Sequence, residues 1–526
     1  MKKILILGII VLFVGAGVIP STTGIFKDKT FFQKITSRGY IQGLIDNASV
    51  GDTIYIPSGI YYENIIIIKS ISLIGEDKNT TIIDGCGIGD VVHISACWVN
   101  ISGFTIQQGT NGINLYTLYS TIERNNISNN IYGINLEFSS NNIITDNTII
   151  SNQNDGIYLN YDSSSNTITD NNISANNNNG ISLNFFSNNN NIIGNTIISN
   201  HNKGIYLDYS NSNTITYNNI SSSNLEGISL FESISNTILT NEIISNNAEG
   251  IFLDESSSNM INDNSITSNY YDGIYLTHES SSNTINDNTI NSNHKNGIFL
   301  NSNSNIITSN NISFNNEDGI YLNYDYNTVI GNLISVNNNN GLSLSSYSSS
   351  NIITDNTIYS NNGCGIKFDY SSYNIWNYIY HNYIYHNNFI DNTVNAYDEG
   401  GNIWHKGYPS GGNYWDDYNS PDNNGDGIGD IPYDIPGGSN QDLYPFIEPN
   451  GWLKELKFRK AFIFGKITNL SSQEKYITFE AMKTRVIYFS TFSFYKYVSG
   501  EKLVISTNYW GFMSEQNIIV LCEIAI

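Results

Sequence analysis

The sequence predicts an all-β chain whose body is a right-handed parallel β-helix of about 12 or more coils of 22–24 residues, followed by a small C-terminal β-domain. Three observations carry this. The motif Gly-Ile-x-Leu begins at Gly112, Gly133, Gly156, Gly180, Gly204, Gly227, Gly250, Gly273, Gly297 and Gly319, then recurs as Gly341-Leu-Ser-Leu and Gly365-Ile-Lys-Phe, at intervals of 21 to 24 residues. A second block, Asn-x-Ile-x-x-Asn-x-Ile, follows each motif, as in residues 166–173 and 283–290. Charged residues make up only 13% of the chain, so runs of Ala, Glu or Lys that would build helices are missing.

Ile and Leu alternate with the residue between them, so they point into a core and that residue points out. Repeats stacked about 4.8 Å apart then pair each strand in parallel with its equivalents, and twelve coils span roughly 55 Å. The hand follows from the preference of parallel crossover connections. A leucine-rich-repeat horseshoe has a similar period, but it needs Leu where Ile dominates here and leaves no room for two β-patterned blocks. Asn recurs at the same period through Asn125, Asn147, Asn171, Asn195, Asn218, Asn241, Asn264, Asn288, Asn310, Asn332 and Asn356. Stacked amides of that kind hydrogen-bond along a rod and hold its bends. The glycine before each Ile is expected to supply a bend at positive φ.

Residues 1–24 read as a signal peptide or N-terminal anchor: Lys2 and Lys3 precede an apolar run, then Ser21, Thr22, Thr23 and Gly24. Residues 25–400 form the rod, with residues 40–48 as a helical cap presenting Ile41, Leu44, Ile45 and Ala48 on one face. The repeat frays after Asn392. Residues 401–450 are a Gly- and Asp-rich exit segment, and residues 451–526 alternate apolar and polar residues as a small antiparallel β-domain does. Cys86 and Cys97 are close enough in sequence to pair, buried free thiols being the other reading.

The formal net charge is −24, yet the stretch from Leu453 onward holds ten Lys or Arg against six Asp or Glu, leaving −28 for the rest. Such a body excludes nucleic acid as a partner and disfavours an anionic polysaccharide unless a divalent cation bridges the two.

The segments 41–52, 55–64 and 69–76 resemble the entry of pectin-lyase-like β-helices. Together with Gly412-Asn-Tyr-Trp-Asp-Asp-Tyr418 and Asp426-Gly-Ile-Gly-Asp-Ile-Pro-Tyr433, the chain over residues 40–450 is similar to the NosD-like family of exported β-helix proteins, of archaeal type. The resemblance implies fold and location, with carbohydrate binding or sugar hydrolysis among related domains and copper-centre maturation among founding members. Copper transfers poorly, because the seven His and four Met form no rich tract; His381, His386 and His405 are the nearest thing to a cluster.

Four candidate sites follow. Asp422, Asn424, Asp426, the Ile428 carbonyl and Asp430 stand at positions 1, 3, 5, 7 and 9 of a calcium-type loop, with Gly427 at the sharp turn, but Tyr433 replaces the closing Glu. Among the outward residues of Gly-Ile-x-Leu, Tyr206, Phe252, Tyr275, Phe299 and Tyr321 could form a platform for sugar faces, or could simply stack on one another. Asp208 and Asp254, two coils or roughly 9.6 Å apart, are the pair nearest to a glycosidase arrangement. Asp155, Glu226, Glu249, Asp272 and Asp318 precede motif glycines and read as a solvated turn row, or as a weak calcium-binding one. The function expected is therefore that of a secreted or cell-surface protein, non-catalytic, binding glycan or another envelope component along its rod with calcium near its exit. A polysaccharide hydrolase or lyase, and a structural spacer or adhesin, are the alternatives.

Overall fold

The computed structural model describes residues 39–345, 348–368 and 381–453, and the strands of a C-terminal sheet between residues 459 and 524. The export segment at residues 1–24 lies outside the described residues.

Three short strands make each coil, for example Thr167–Thr169, Asn172–Ser174 and Ile181–Asn184. Each pairs in parallel with its equivalents one coil away: Ile168 stands between Ile144 and Ile192, Ile173 between Ile149 and Ile197, and Ile181 between Ile157 and Ile205. Among the described residues, repetition gives three parallel sheets of 15, 16 and 15 strands, called here the first, second and third in chain order. The inward Ile and Leu of every coil are fully buried. Gly-Ile-x-Leu opens the third sheet, while the two halves of the Asn block supply the first and second.

The asparagine column continues through Asn387 to Asn413, and it has two companions. One runs from Asn130 to Asn392 and the other from Asn142 to Asn402. In a typical rung the backbone N–H and Nδ2 of Asn241 both donate to Oδ1 of Asn264, at 2.9 and 3.0 Å, and Nδ2 also reaches the Ile215 carbonyl. Every rung donates toward the C-terminal end. The last ones therefore need an acceptor, and carboxylates provide it. Asp442 accepts from Asn413 and the Trp415 indole, and Asp398 from Asn402 and the Trp404 indole. Both acids are wholly buried.

The motif glycines do not take positive φ. They are required because a Cβ at Gly227 would lie 2.7 Å from the Gly250 carbonyl oxygen and 2.6 Å from Ile243 Cγ2, with the same clash in neighbouring coils. Positive φ falls instead on non-glycine corner residues such as Asp170, Ala175 and Phe185. The acidic row is likewise not a solvated turn: Asp155, Asp272 and Asp318 are 3%, 4% and 5% exposed. Each accepts the backbone N–H of an Asn one coil on, Asn179, Asn296 and Asn340, which is why they sit inside the corner rather than out in water.

The helix Tyr40–Asn47 closes the N-terminal end, burying Ile41 and Ile45 but leaving Leu44 exposed. Glu63 accepts the Ile41 and Gln42 amides at its first turn. The rod does not fray at Asn392: Val394–Tyr397 and Tyr414–Trp415 extend it, with Phe389, Ala396, Trp404 and Trp415 replacing Ile in the core. Cys86 and Cys97 follow strands of different sheets; both are free, and Cys86 is exposed rather than buried. The C-terminal strands, from Arg459–Ser471 to Asn517–Ile524, pair antiparallel throughout.

Candidate functional site

The outward face of the third sheet is where ring, hydroxyl and carboxylate side chains meet. In register it reads Tyr158, Ser182, Tyr206, Ser229, Phe252, Tyr275, Phe299, Tyr321 and Ser343. The rings are half-buried, flanked by the buried corner row on one side and by strand-end residues on the other.

Two zones differ. From Phe252 to Tyr321 a ring stands on every coil, with centroids 5.4, 4.8 and 5.0 Å apart at interplanar angles of 57°, 37° and 52°. These rings tilt onto one another, so much of each face is taken by a neighbour. From Tyr158 to Phe252 rings alternate with serines, leaving gaps. The gap at Ser182 opens into a cleft of about 380 Å³ lined by Tyr132, Tyr158, Tyr206, Asp155 and Lys203 among others. Burial pushes the Tyr158 and Tyr206 phenols up to about 12. The gap at Ser229 is filled by Lys203, whose Nζ donates to Ser229 Oγ, lies 4.2 Å from the Tyr206 ring centre and pairs with Glu226 at 3.7 Å.

Asp208 and Asp254 lie two coils apart on this sheet, and the Phe231 ring stands between them in register. Burial, aided by Glu232, raises the Asp208 carboxyl. Asp254 is engaged by His278 Nδ1, and that bond raises the imidazole. The two carboxylates thus have different immediate partners.

A second ring column was not read from the sequence. Phe138, Tyr161 and Phe185 stack nearly flat, at 5.5 and 5.7 Å and 14°, and Tyr209 continues the column. They occupy left-handed corners at the end of the third sheet and are 41–49% exposed through Phe185. The signal was present: an aromatic residue falls five positions after Gly133, Gly156, Gly180 and Gly204, and Glu232, Glu255 and His278 occupy that place in the next three coils. A cleft of about 600 Å³ lies beside Glu255 and His278.

At the exit, the 422–430 segment folds back on itself. Asp422 accepts the amides of Gly425, Asp426 and Gly427, Asp426 accepts that of Ile428, and Asp430 accepts from Asn423. Gly427 makes the sharp turn at φ 88°. The carboxylates are thus turned to the loop's own amides, and among the described residues no group of three His, Cys, Asp or Glu side chains is arranged to hold a metal ion.

The family model "Periplasmic copper-binding protein (NosD)" matches residues 45–225 and 269–420, and "Right handed beta helix region" matches residues 185–325. No curated protein matches the sequence. Among solved structures, the A-module of a mannuronan C-5 epimerase from Azotobacter vinelandii is 18% identical over 51% of this chain and 92% of that one, with a TM-score of 0.44. A periplasmic alginate epimerase is 17% identical over 49% and 70%, at 0.34. The catalytic unit of an alpha-1,3-glucanase from Streptomyces thermodiastaticus is 12% identical over 70% and 66%, at 0.39.

The residues present do not fit the copper of that family description. His386 donates from Nε2 to the Ser410 carbonyl and stacks on Trp452, while His405 Nδ1 accepts the Gly407 amide. His278 is held by Asp254 on a distant coil. Each of these imidazoles has one nitrogen engaged within the protein, and among the described residues no three His, Cys, Asp or Glu side chains gather to hold a metal ion.

Proposed function

The chain belongs to the NosD family of β-helix proteins, and on that premise we propose that it is a secreted or cell-surface rod that binds glycan along the outward face of its third sheet without turning it over. Its family is described as periplasmic, and among the described residues no helix is long and apolar enough to cross a membrane. The observation that supports glycan binding is the outward row itself. Half-buried rings stand in strict register with amides and carboxylates alongside, so apolar sugar faces and hydroxyl edges each have a complementary surface. Against catalysis by Asp208 and Asp254 as a pair stands the Phe231 side chain in register between them. Calcium in the 422–430 loop is part of the proposal, supported by its ligand spacing and the turn at Gly427. The net charge of −28 before Leu453 argues against nucleic acid as a partner of the rod.

A glycan array probed with the full-length protein, with and without chelator and coupled to reducing-end and unsaturated-product assays, tests this reading. Binding without product is expected. Turnover would establish a hydrolase or lyase instead, and silence in both would leave a structural spacer. In the same samples, a chelator should lower the melting temperature and Asp426→Asn should weaken that effect; an indifferent melt removes calcium.

A further inference from the structure

We propose that Tyr158, Ser182 and Tyr206 form a slot that takes one neutral pyranose unit edge-on, with a tyrosine ring against each of its faces. This deepens the glycan-binding reading and rests on it.

The slot is built from both sides. Tyr132 stacks on Tyr158 from the preceding coil, at 5.3 Å and 28°, and so covers its N-terminal face. Lys203 reaches past Tyr206 to Ser229 on the following coil, so its ammonium covers the C-terminal face of Tyr206. The faces left free are the two that look at each other across Ser182. In-register strand pairing sets Tyr158 and Tyr206 two coils apart, roughly 9.6 Å. Two ring-to-carbon contacts of about 3.5–4.0 Å plus the pucker of a chair need about 8 Å, which that spacing accommodates with slight lean of the rings. One sheet pyranose thickness fits, and two do not.

The floor is polar and ordered. Ser182 is 1% exposed, and its Oγ accepts from Asn179 Nδ2 at 3.0 Å. Asn179 is held in turn by Asp155, through its backbone N–H. The walls carry the polar side chains of Asn178, Asn184 and Asn202. The charges choose the class of sugar. Among the described residues, Lys203 is the single cationic side chain lining the cleft, and its ammonium is already paired with Glu226 at 3.7 Å and seated over the Tyr206 ring, which disfavours its use for a uronate carboxylate. Asp155 beneath the slot and Asp208 beside Tyr206 would repel one.

The next gap along the row, at Ser229, repeats the ring–serine–ring pattern but is plugged by Lys203. From Phe252 to Tyr321 a ring stands on every coil, and at Ser343 the following coil carries Lys367 rather than a ring. Among the described coils from Tyr158 onward, one open ring–serine–ring slot is therefore expected.

The test measures binding of labelled hexasaccharides of glucose, mannose, galactose and galacturonic acid to the full-length protein by titration. Ser182→Tyr fills the slot with a ring, a change the sheet tolerates because Phe252, Tyr275, Phe299 and Tyr321 already place a ring on every coil. Tyr206→Ala removes one wall, and Tyr217→Ala, at an exposed corner of the first sheet, is the control. Expected is binding of at least one neutral hexamer, weakened about tenfold or more by Ser182→Tyr and by Tyr206→Ala with melting and Tyr217→Ala both unchanged from the parent. Neutral-hexamer binding that Ser182→Tyr leaves intact overturns the slot and spares the glycan reading. Preference for the galacturonate hexamer overturns the neutral-sugar assignment. No binding by the parent to any hexamer overturns the glycan reading, and the slot with it.

Discussion

Ser223 is the residue at which an otherwise continuous amide column breaks. It stands where the neighbouring coils carry Asn200 and Asn246, and its buried Oγ has no hydrogen-bond partner. Ser223→Asn should restore the rung, giving the Asn200 amide an acceptor and raising stability by about 1 kcal/mol; a lower thermal midpoint would show that the corner cannot take the larger side chain. Gly250→Ala should do the opposite. Its Cβ would meet the Gly273 carbonyl oxygen at 2.6 Å, at a cost of about 1–3 kcal/mol in denaturant titration. The corner acids give a pH dependence. Burial lifts Asp155 and Asp272 from 3.8 to about 6 and Glu249 from 4.5 to about 7. A carboxyl raised on folding holds its proton more tightly in the folded chain. The stability it lends is whole below its unfolded value, declines up to 6–7 and is gone above that. Acidifying from pH 8 to pH 5 should therefore raise the melting temperature, and Glu249→Gln should flatten part of that rise. At this scale the inward Ile and Leu were legible, because alternation depends only on strand geometry. The motif glycines were placed correctly for the wrong reason: the contact that excludes a side chain comes from the next coil, and no local pattern reports it.

Most strands of the rod are three or four residues long and could not stand alone, so their stability comes from their equivalents above and below. The period announced this, and the paired blocks told how many strands a coil holds. Only one of the three asparagine columns was recognised, since the motif's longer stretches of Asn hide which residues face inward at a corner. The outward ring row was legible as far as composition goes. What turned it into two zones, a self-packed ladder and an open slot, was the stacking of Tyr132 and the reach of Lys203, both contacts between coils. The aromatic corner column was missed for a related reason: attention to strand positions passes over residues at φ near 45–49°, where Phe138, Tyr161, Phe185 and Tyr209 sit.

For the whole molecule, the strand pairing runs without interruption from the helix at Tyr40–Asn47 to the tryptophan pair at the exit. Sequence reading found the entry and exit motifs but not their work. The exit brings Asp398 and Asp442 to the ends of two amide columns, from 4 and 29 residues away from the rungs they terminate, and such pairings leave no periodic trace. Replacing Asp442 by Leu should leave Asn413 and the Trp415 indole without an acceptor in the core, costing about 2–3 kcal/mol and lowering the melt of the rod from its C-terminal end; unaltered melting would mean that the columns need no terminal acceptor.

Because the strands cross the rod, the hydrogen bonds between coils lie along its axis. A pull applied to the two ends therefore loads these bonds one coil at a time rather than all together. Under tension the rod should come apart by peeling of its outermost turn, each release paying out roughly 80 Å of chain for a 23-residue repeat. A protein anchored at one end and holding its ligand along one side would then yield in small steps, as a shock absorber does, before its middle coils and the slot within them are disturbed.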